Sequence, residues 1–197
     1  MKIIKPLFLD NLINEFNAIM EIRTDHRKKE LEKFHVKLSQ LKFLDPACGS
    51  GSFLIIAYQE LRRLELQVIR KLYDNPNKVL DVSVLSKIRI EQFYGIEKEE
   101  LPSHISEVSL WMMEHVMNQE LAHSFGEVFT DIPLKTIPNI TNKDALEIDW
   151  NEVIPNKECS FIMGNPPFKG SQLQTTQEKE QIKKLAGGER VDTLDYV

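Results

Sequence analysis

"LKFLDPACGSGSFLIIAYQELRRLELQVIRKL", residues Leu41 to Leu72, reads as a strand, a glycine-rich turn and a helix in immediate succession. Leu41 to Asp45 is short and largely apolar, and "PACGSGS" cannot extend it. Phe53 to Leu72 consists of helix formers throughout, with Phe53, Leu54, Ile56, Ala57, Leu61, Leu64, Val68 and Leu72 as its apolar set. A strand that passes into a helix through glycines opens a βαβ unit. Repeated, such units build a doubly wound, mostly parallel sheet whose ligands sit beyond the carboxyl ends of the strands.

The flanking sequence repeats the alternation. Downstream, "QFYGIE" (Gln92 to Glu97) is a buried strand closed by an acid, and a helix with Ile105, Val108, Leu110, Met112 and Val116 apolar runs from about Pro102 to Asn118. "NITNKDALEIDW" (Asn139 to Trp150) predicts a short third strand and turn, and "CSFIMG" (Cys159 to Gly164) a fourth. Upstream, Leu9, Leu12, Ile13, Phe16, Ile19 and Met20 recur at three and four residues, predicting a helix from Pro6 to about Ile22. "TDHRKKELEKFHVKLSQ" predicts a second helix, wetted on its charged side and held by Leu31, Phe34 and Leu38. "DNPNK" (Asp74 to Lys78) breaks the long helix, and residues 79–90 are ambiguous. The expected organisation is a helical segment over 1–40, the α/β unit over 41–168 and a polar tail over 169–197.

Composition narrows the classes. With 197 residues, 42% hydrophobic and 28% charged, the chain has room for one substantial core. No apolar run approaches the roughly 20 residues that span a bilayer, so no membrane association and a cytoplasmic location are expected. Cys48 and Cys159 stand far apart with no Cys/His cluster, which supports neither a disulfide framework nor a metal site. A net charge of -5 is unlike that of a self-sufficient nucleic-acid binder. Were DNA the substrate, most of the grip would lie elsewhere.

Three strand ends carry residues with chemistry. Gly49 and Gly51 let the backbone turn tightly and approach a ligand at a helix N-terminus, which suits a nucleotide-like cofactor. Glu97 is placed to accept hydrogen bonds from a ribose diol, although it lies well beyond the ~20 residues usual after a dinucleotide fingerprint. The third glycine of that fingerprint is absent, and Asp45 fits an amino-acid ammonium better than a phosphate. "IMGNPPFKG" (Ile162 to Gly170) ends the fourth strand in two prolines between Asn165 and Phe168. Taken singly, each has a plain alternative: a tight turn, a solvated strand end, a structural loop, and for Cys48 a small filler.

Together and in this order, "FLDPACGSGSFLI", "FYGIE" and "IMGNPPF" resemble motifs I, II and IV of the S-adenosylmethionine-dependent amino-methyltransferases of the DNA adenine-N6 group. The wider wording, including "PLFLDNL", "FYGIEKEELPSHISEVSLWM", "DALEIDWNEVIP" and "GNPPFKG", resembles the methyltransferase region of MmeI-type (type IIG/IIL) restriction-modification enzymes from about Lys5 to Val197. The resemblance implies a Rossmann-like class I methyltransferase fold of seven strands, of which about four are accounted for. It also implies that Asp45, Ala47, Cys48, Gly49, Gly51 and Phe53 surround the methionine part of the cofactor S-adenosyl-L-methionine. Glu97 would hold the ribose, Ile96 or Lys98 would flank the adenine, and Asp144 with Ala145 would meet the adenine edge. Asn165 and the Pro166 carbonyl would accept the two N6 hydrogens of an adenine flipped out of double-stranded DNA. Pro167 would stiffen the loop, and Phe168 would stack on the base.

The same motifs leave two other readings open. A protein glutamine or RNA acceptor keeps the cofactor, but glutamine methyltransferases favour Tyr at position 168, so Phe168 argues for DNA. Alternatively, the chain is a non-catalytic piece needing a partner chain or a missing C-terminal half. The polar stretch after Phe168 and the small strand count predict a fragment of a larger enzyme.

Overall fold

The computed structural model describes residues 5–73, 85–126, 137–165 and 174–185. A π-helical turn, Lys5–Leu9, runs into α1 (Asp10–Met20), followed by α2 (Thr24–Gln40), β1 (Phe43–Asp45) and α3 (Ser52–Leu72). A 3-10 turn, Ile90–Gln92, leads into β2 (Phe93–Glu97), then α4 (Glu100–Ser124), β3 (Asn139–Asn142), α5 (Trp150–Val153), β4 (Phe161–Ile162) and α6 (Thr176–Leu185). The expected helices and all four expected strands are present. The break at 74–78 and residues 79–84 of the ambiguous stretch lie outside the described residues.

The sheet has the order β3-β2-β1-β4, and each of its pairings is parallel. This is part of a Rossmann-like arrangement, with helices on both faces. Register partners Phe161, Phe43 and Phe93 form an aromatic ladder across three strands. Phe43 stacks on Phe93 at 4.9 Å between ring centres and on Phe161 at 5.3 Å. Phe8 from the N-terminal turn meets Phe43 edge-on, and Tyr58 of α3 meets Phe93 likewise. Leu44, between Phe43 and Asp45, packs instead with Ile96 and Ile154. This alternation along β1 gives the sheet a core on each face.

A buried ionic cluster locks α2 to α3. Glu65 is 1% exposed and accepts from His35 Nε2 at 2.7 Å, Ser86 Oγ at 2.6 Å and the Lys87 and Ile88 backbone N–H groups. Arg62 Nε lies 3.2 Å from it, and the same guanidinium donates to Tyr58 Oη and Asn118 Oδ1. Burial disfavours the charge on Glu65, but the His35 hydrogen bond, the Arg62 charge and the Ser86 and Lys87 donors hold its carboxyl below the usual range. Gln92 ties the sheet to the end of α2, donating from Nε2 to the Leu38 and Leu41 carbonyls.

On α4, apolar periodicity does not mark the buried side. Ile105, Val108, Met112 and Val116 are 44–65% exposed, and the buried positions are Ser103, Ser106, Leu110, Glu114, Met117, Leu121 and Ala122. The beginning of this helix lies so close to the glycine turn that small side chains are required there.

Candidate functional site

Asp45 is the last residue of β1 and is 1% exposed. Its Oδ1 accepts the Ala47 N–H at 3.1 Å, which folds "DPA" into a turn. Burial pushes the Asp45 carboxyl up to about 6, with the Ala47 hydrogen bond opposing the rise and the Glu97 charge adding to it.

Backbone hydrogen bonds shape the rest of the turn. Cys48 N donates to the Ile96 carbonyl at 3.0 Å, and Gly51 N to the Cys48 carbonyl at 2.8 Å. Gly51 has φ +82°, and a Cβ there would run into Ser106 Oγ on α4, so both backbone freedom and space demand glycine. Ile55 N then donates to Gly51 O at 2.9 Å, starting α3.

Glu97 at the end of β2 joins this turn directly. Its Oε2 accepts from Gly49 N at 2.8 Å and its Oε1 from Glu99 N at 2.8 Å. Each carboxylate oxygen retains acceptor capacity for a further donor. Cys48 is buried beside these acids; burial and the Asp45 charge push its thiol up to about 12, which suits a packing residue and not a nucleophile.

The end of β4 reaches the same place. Met163 N donates to the Leu44 carbonyl at 2.8 Å, and a Cβ on Gly164 would lie 2.6 Å from Asp45 Oδ1. Asn165 follows, exposed, while Pro166, Pro167 and Phe168 lie outside the described residues. Beyond β3, Asp144 Oδ1 accepts from Leu146 N at 3.0 Å and its Oδ2 from Lys98 Nζ at 2.9 Å. The Ala145 carbonyl accepts from Trp150 Nε1 at 2.7 Å. Ile96 is wholly buried against Leu44 and Ile154, Phe53 is half-buried on the core, and Lys98 is exposed.

The strand ends therefore gather Asp45, the Gly49–Gly51 turn and Glu97, with the "NPPF" stretch starting alongside. Three neighbours escaped the sequence reading: Gly95, Ser106 and Gly164. A Cβ on Gly95 would lie 2.7 Å from Cys48 Sγ and 2.8 Å from Ile140 Cδ1. A glycine in mid-strand was the available signal, since it marks close approach. Ser106 and Gly164 gave no comparable signal, because their neighbours are distant in sequence. A cavity of about 460 Å³ between α1 and α2, lined by residues including Glu15, Ile19, Phe34 and Lys37, holds none of these groups. Among the described residues no His, Cys, Asp and Glu grouping could hold a metal ion, and no helix is long and apolar enough to cross a membrane.

Residues 21–197 match the family described as "MmeI, DNA-methyltransferase domain". DNA methyltransferase A of Bacillus subtilis (strain 168) is 38% identical over 201 residues, covering all of this chain and 22% of that protein. A solved structure of the type IIL restriction-modification enzyme MmeI in complex with DNA superposes with a TM-score of 0.91 at 46% identity, over 99% of this chain and 26% of that one. The chain thus spans about a quarter or less of the length of these relatives. A family match over most of the sequence, with a closely superposing fold, places this chain in the MmeI DNA-methyltransferase domain family.

Proposed function

We propose that this chain forms the cofactor-binding and catalytic part of a DNA adenine-N6 methyltransferase that uses S-adenosyl-L-methionine within a cytoplasmic restriction-modification system. The observation that carries the proposal is the meeting of Asp45, the Gly49–Gly51 turn and Glu97, with Gly164, the residue before Asn165, lying against Asp45. The donor set fits the cofactor. Asp45 is a buried carboxylate with a raised pKa, for which an ammonium supplies the missing counter-charge. Gly49, with nothing within 4 Å of where a Cβ would stand, leaves its backbone open to a ligand, Glu97 has acceptor capacity for a ribose diol, and Asp144 is an acceptor for the adenine 6-amine.

When bound, the cofactor supplies a methyl group activated by its sulfonium. The chain's part is electrostatic. The amine of adenine is a poor nucleophile because its lone pair is delocalised into the ring. Asn165 and the Pro166 carbonyl accept its two N–H bonds, favour a pyramidal nitrogen and stabilise the positive charge that grows on it. Pro166 and Pro167 hold those acceptors in advance, so little ordering remains at the moment of reaction. Phe168 stacks on a base flipped from the duplex. The relative solved with DNA supports a DNA partner, and the net charge of -5 leaves most phosphate contacts to other parts of the full-length protein.

The test is transfer of labelled methyl groups to DNA by the full-length protein, with digestion to nucleosides. N6-methyladenine is the expected product, and Asn165→Ala abolishes it while cofactor binding persists. Label in another base, or undiminished transfer by Asn165→Ala, overturns the proposal.

A further inference from the structure

Two segments at the rim of the site are cross-tied. Asn142, the register partner of Glu97, donates from Nδ2 to the carbonyls of Glu97 at 2.9 Å and Lys98 at 3.0 Å. Lys143 N donates to the same Glu97 carbonyl at 3.0 Å. Above this clamp, Lys98 Nζ reaches Asp144 Oδ2 at 2.9 Å while Leu146 N holds Oδ1. The Asp144 side chain is only 12% exposed, whereas that of Lys98 is 64% exposed. A mostly covered carboxylate is therefore held at both oxygens, by one backbone donor and one ammonium.

We infer that Lys98 is a positioning residue that orients the Asp144 carboxylate as an acceptor, so that the site selects a purine bearing a 6-amino group over one bearing a 6-oxo group. This rests on the cofactor reading above. The chemistry follows from what each group offers. A 6-amino group donates to a carboxylate, whereas a 6-oxo group presents lone pairs to it and leaves the carboxylate facing an acceptor. A carboxylate free to rotate could turn away from the oxo group and would discriminate less. Lys98 limits that rotation through Oδ2, as Leu146 N does through Oδ1. Burial works against the charge on Asp144, yet the Lys98 hydrogen bond and the Leu146 N–H hold its carboxyl below the usual range, consistent with a permanent acceptor. Because Lys98 is solvent-facing, its hold weakens as salt rises.

Calorimetric titration of the full chain with S-adenosylhomocysteine and S-inosylhomocysteine tests this without turnover. The wild-type chain is expected to prefer the adenosyl compound by about 100-fold or more. Lys98→Met lowers that preference about threefold to fivefold, Lys98→Arg keeps it, and added salt mimics the Met variant. Binding of neither compound by the folded wild-type chain removes the cofactor reading and this inference with it. Equal binding of both leaves the cofactor reading standing but overturns the inference. So does a Lys98→Met chain whose preference is unchanged, or one that loses both ligands equally, since that would make Lys98 a contact and not an orienter.

Discussion

Replacing Asp45 by Asn should stabilise the cofactor-free chain while weakening its affinity for S-adenosylmethionine. The carboxyl rises from 3.8 in the unfolded chain to about 6 in the fold, chiefly through burial. A folded-state pKa above the unfolded value means that stability is fully present below about pH 3.8 and is lost as pH rises through 6. A rise of about two units at ~1.36 kcal/mol each puts the loss at about 3 kcal/mol by pH 7.5, with about half of it already incurred at pH 5. Asn keeps the shape and the acceptor for Ala47 N but carries no charge. Urea unfolding of both chains at pH 7.5 should therefore favour Asp45→Asn by up to about 3 kcal/mol, narrowing to about half that at pH 5. In thermal melts the gain corresponds to a rise on the order of 6–12 °C. Titration with S-adenosylmethionine at pH 7.5 should show affinity lowered about 10-fold to 100-fold, because a charge-assisted hydrogen bond to the ammonium is gone. An Asn variant no more stable than wild type at pH 7.5, or a difference that ignores pH, would refute the view that a buried, uncompensated charge waits at this strand end.

Three other substitutions probe the frame around the site. Gly51→Ala meets both an unfavourable φ and the Ser106 hydroxyl, so it should cost about 1–3 kcal/mol in unfolding experiments; adding Ser106→Ala should recover only part, as the backbone strain remains. Gly95→Ala places a Cβ 2.7 Å from Cys48 Sγ, with an expected loss of about 1–3 kcal/mol and weaker cofactor binding measured by calorimetry. Glu65→Gln breaks a buried cluster and should cost about 3–5 kcal/mol. Because the Glu65 pKa is lowered in the fold, that stability is present above its unfolded value and lost as pH falls through the folded one, so the variant and wild type should converge in acid melts.

Local chemistry made much of the molecule legible. Strand, glycine turn and helix are written consecutively from Leu41 to Leu72, and β2 and β4 are short apolar runs with sharp ends. That Asp45, Gly49, Gly51 and Glu97 come together was legible because they lie at or just beyond strand ends of one parallel sheet. What stayed hidden depends on distant partners. The charges of α2 read as a wetted face, yet His35 is buried because Glu65, thirty residues on, receives it. On α4 the sequence offers the apolar stripe Ile105, Val108, Met112 and Val116, but Gly51 of the turn needs a small residue facing it, so Ser106 goes inward. No hydrophobic period can express that steric demand.

The strand order also governs when this site can come into being during synthesis. β1 sits between β2 and β4, and Lys42 N donates to Ser160 Oγ across 118 residues, so β1 lacks its second neighbour until the segment around Phe161 has left the ribosome. Until then the β4 side of Phe43 lacks Phe161, and Asp45 lacks the Gly164 backbone that lies against it. Such late, non-local closure slows folding and leaves an open sheet edge on the nascent chain. A ribosome stalled shortly after Asp45 and Glu97 emerge would hold both acids without the β4 end that lies beside Asp45.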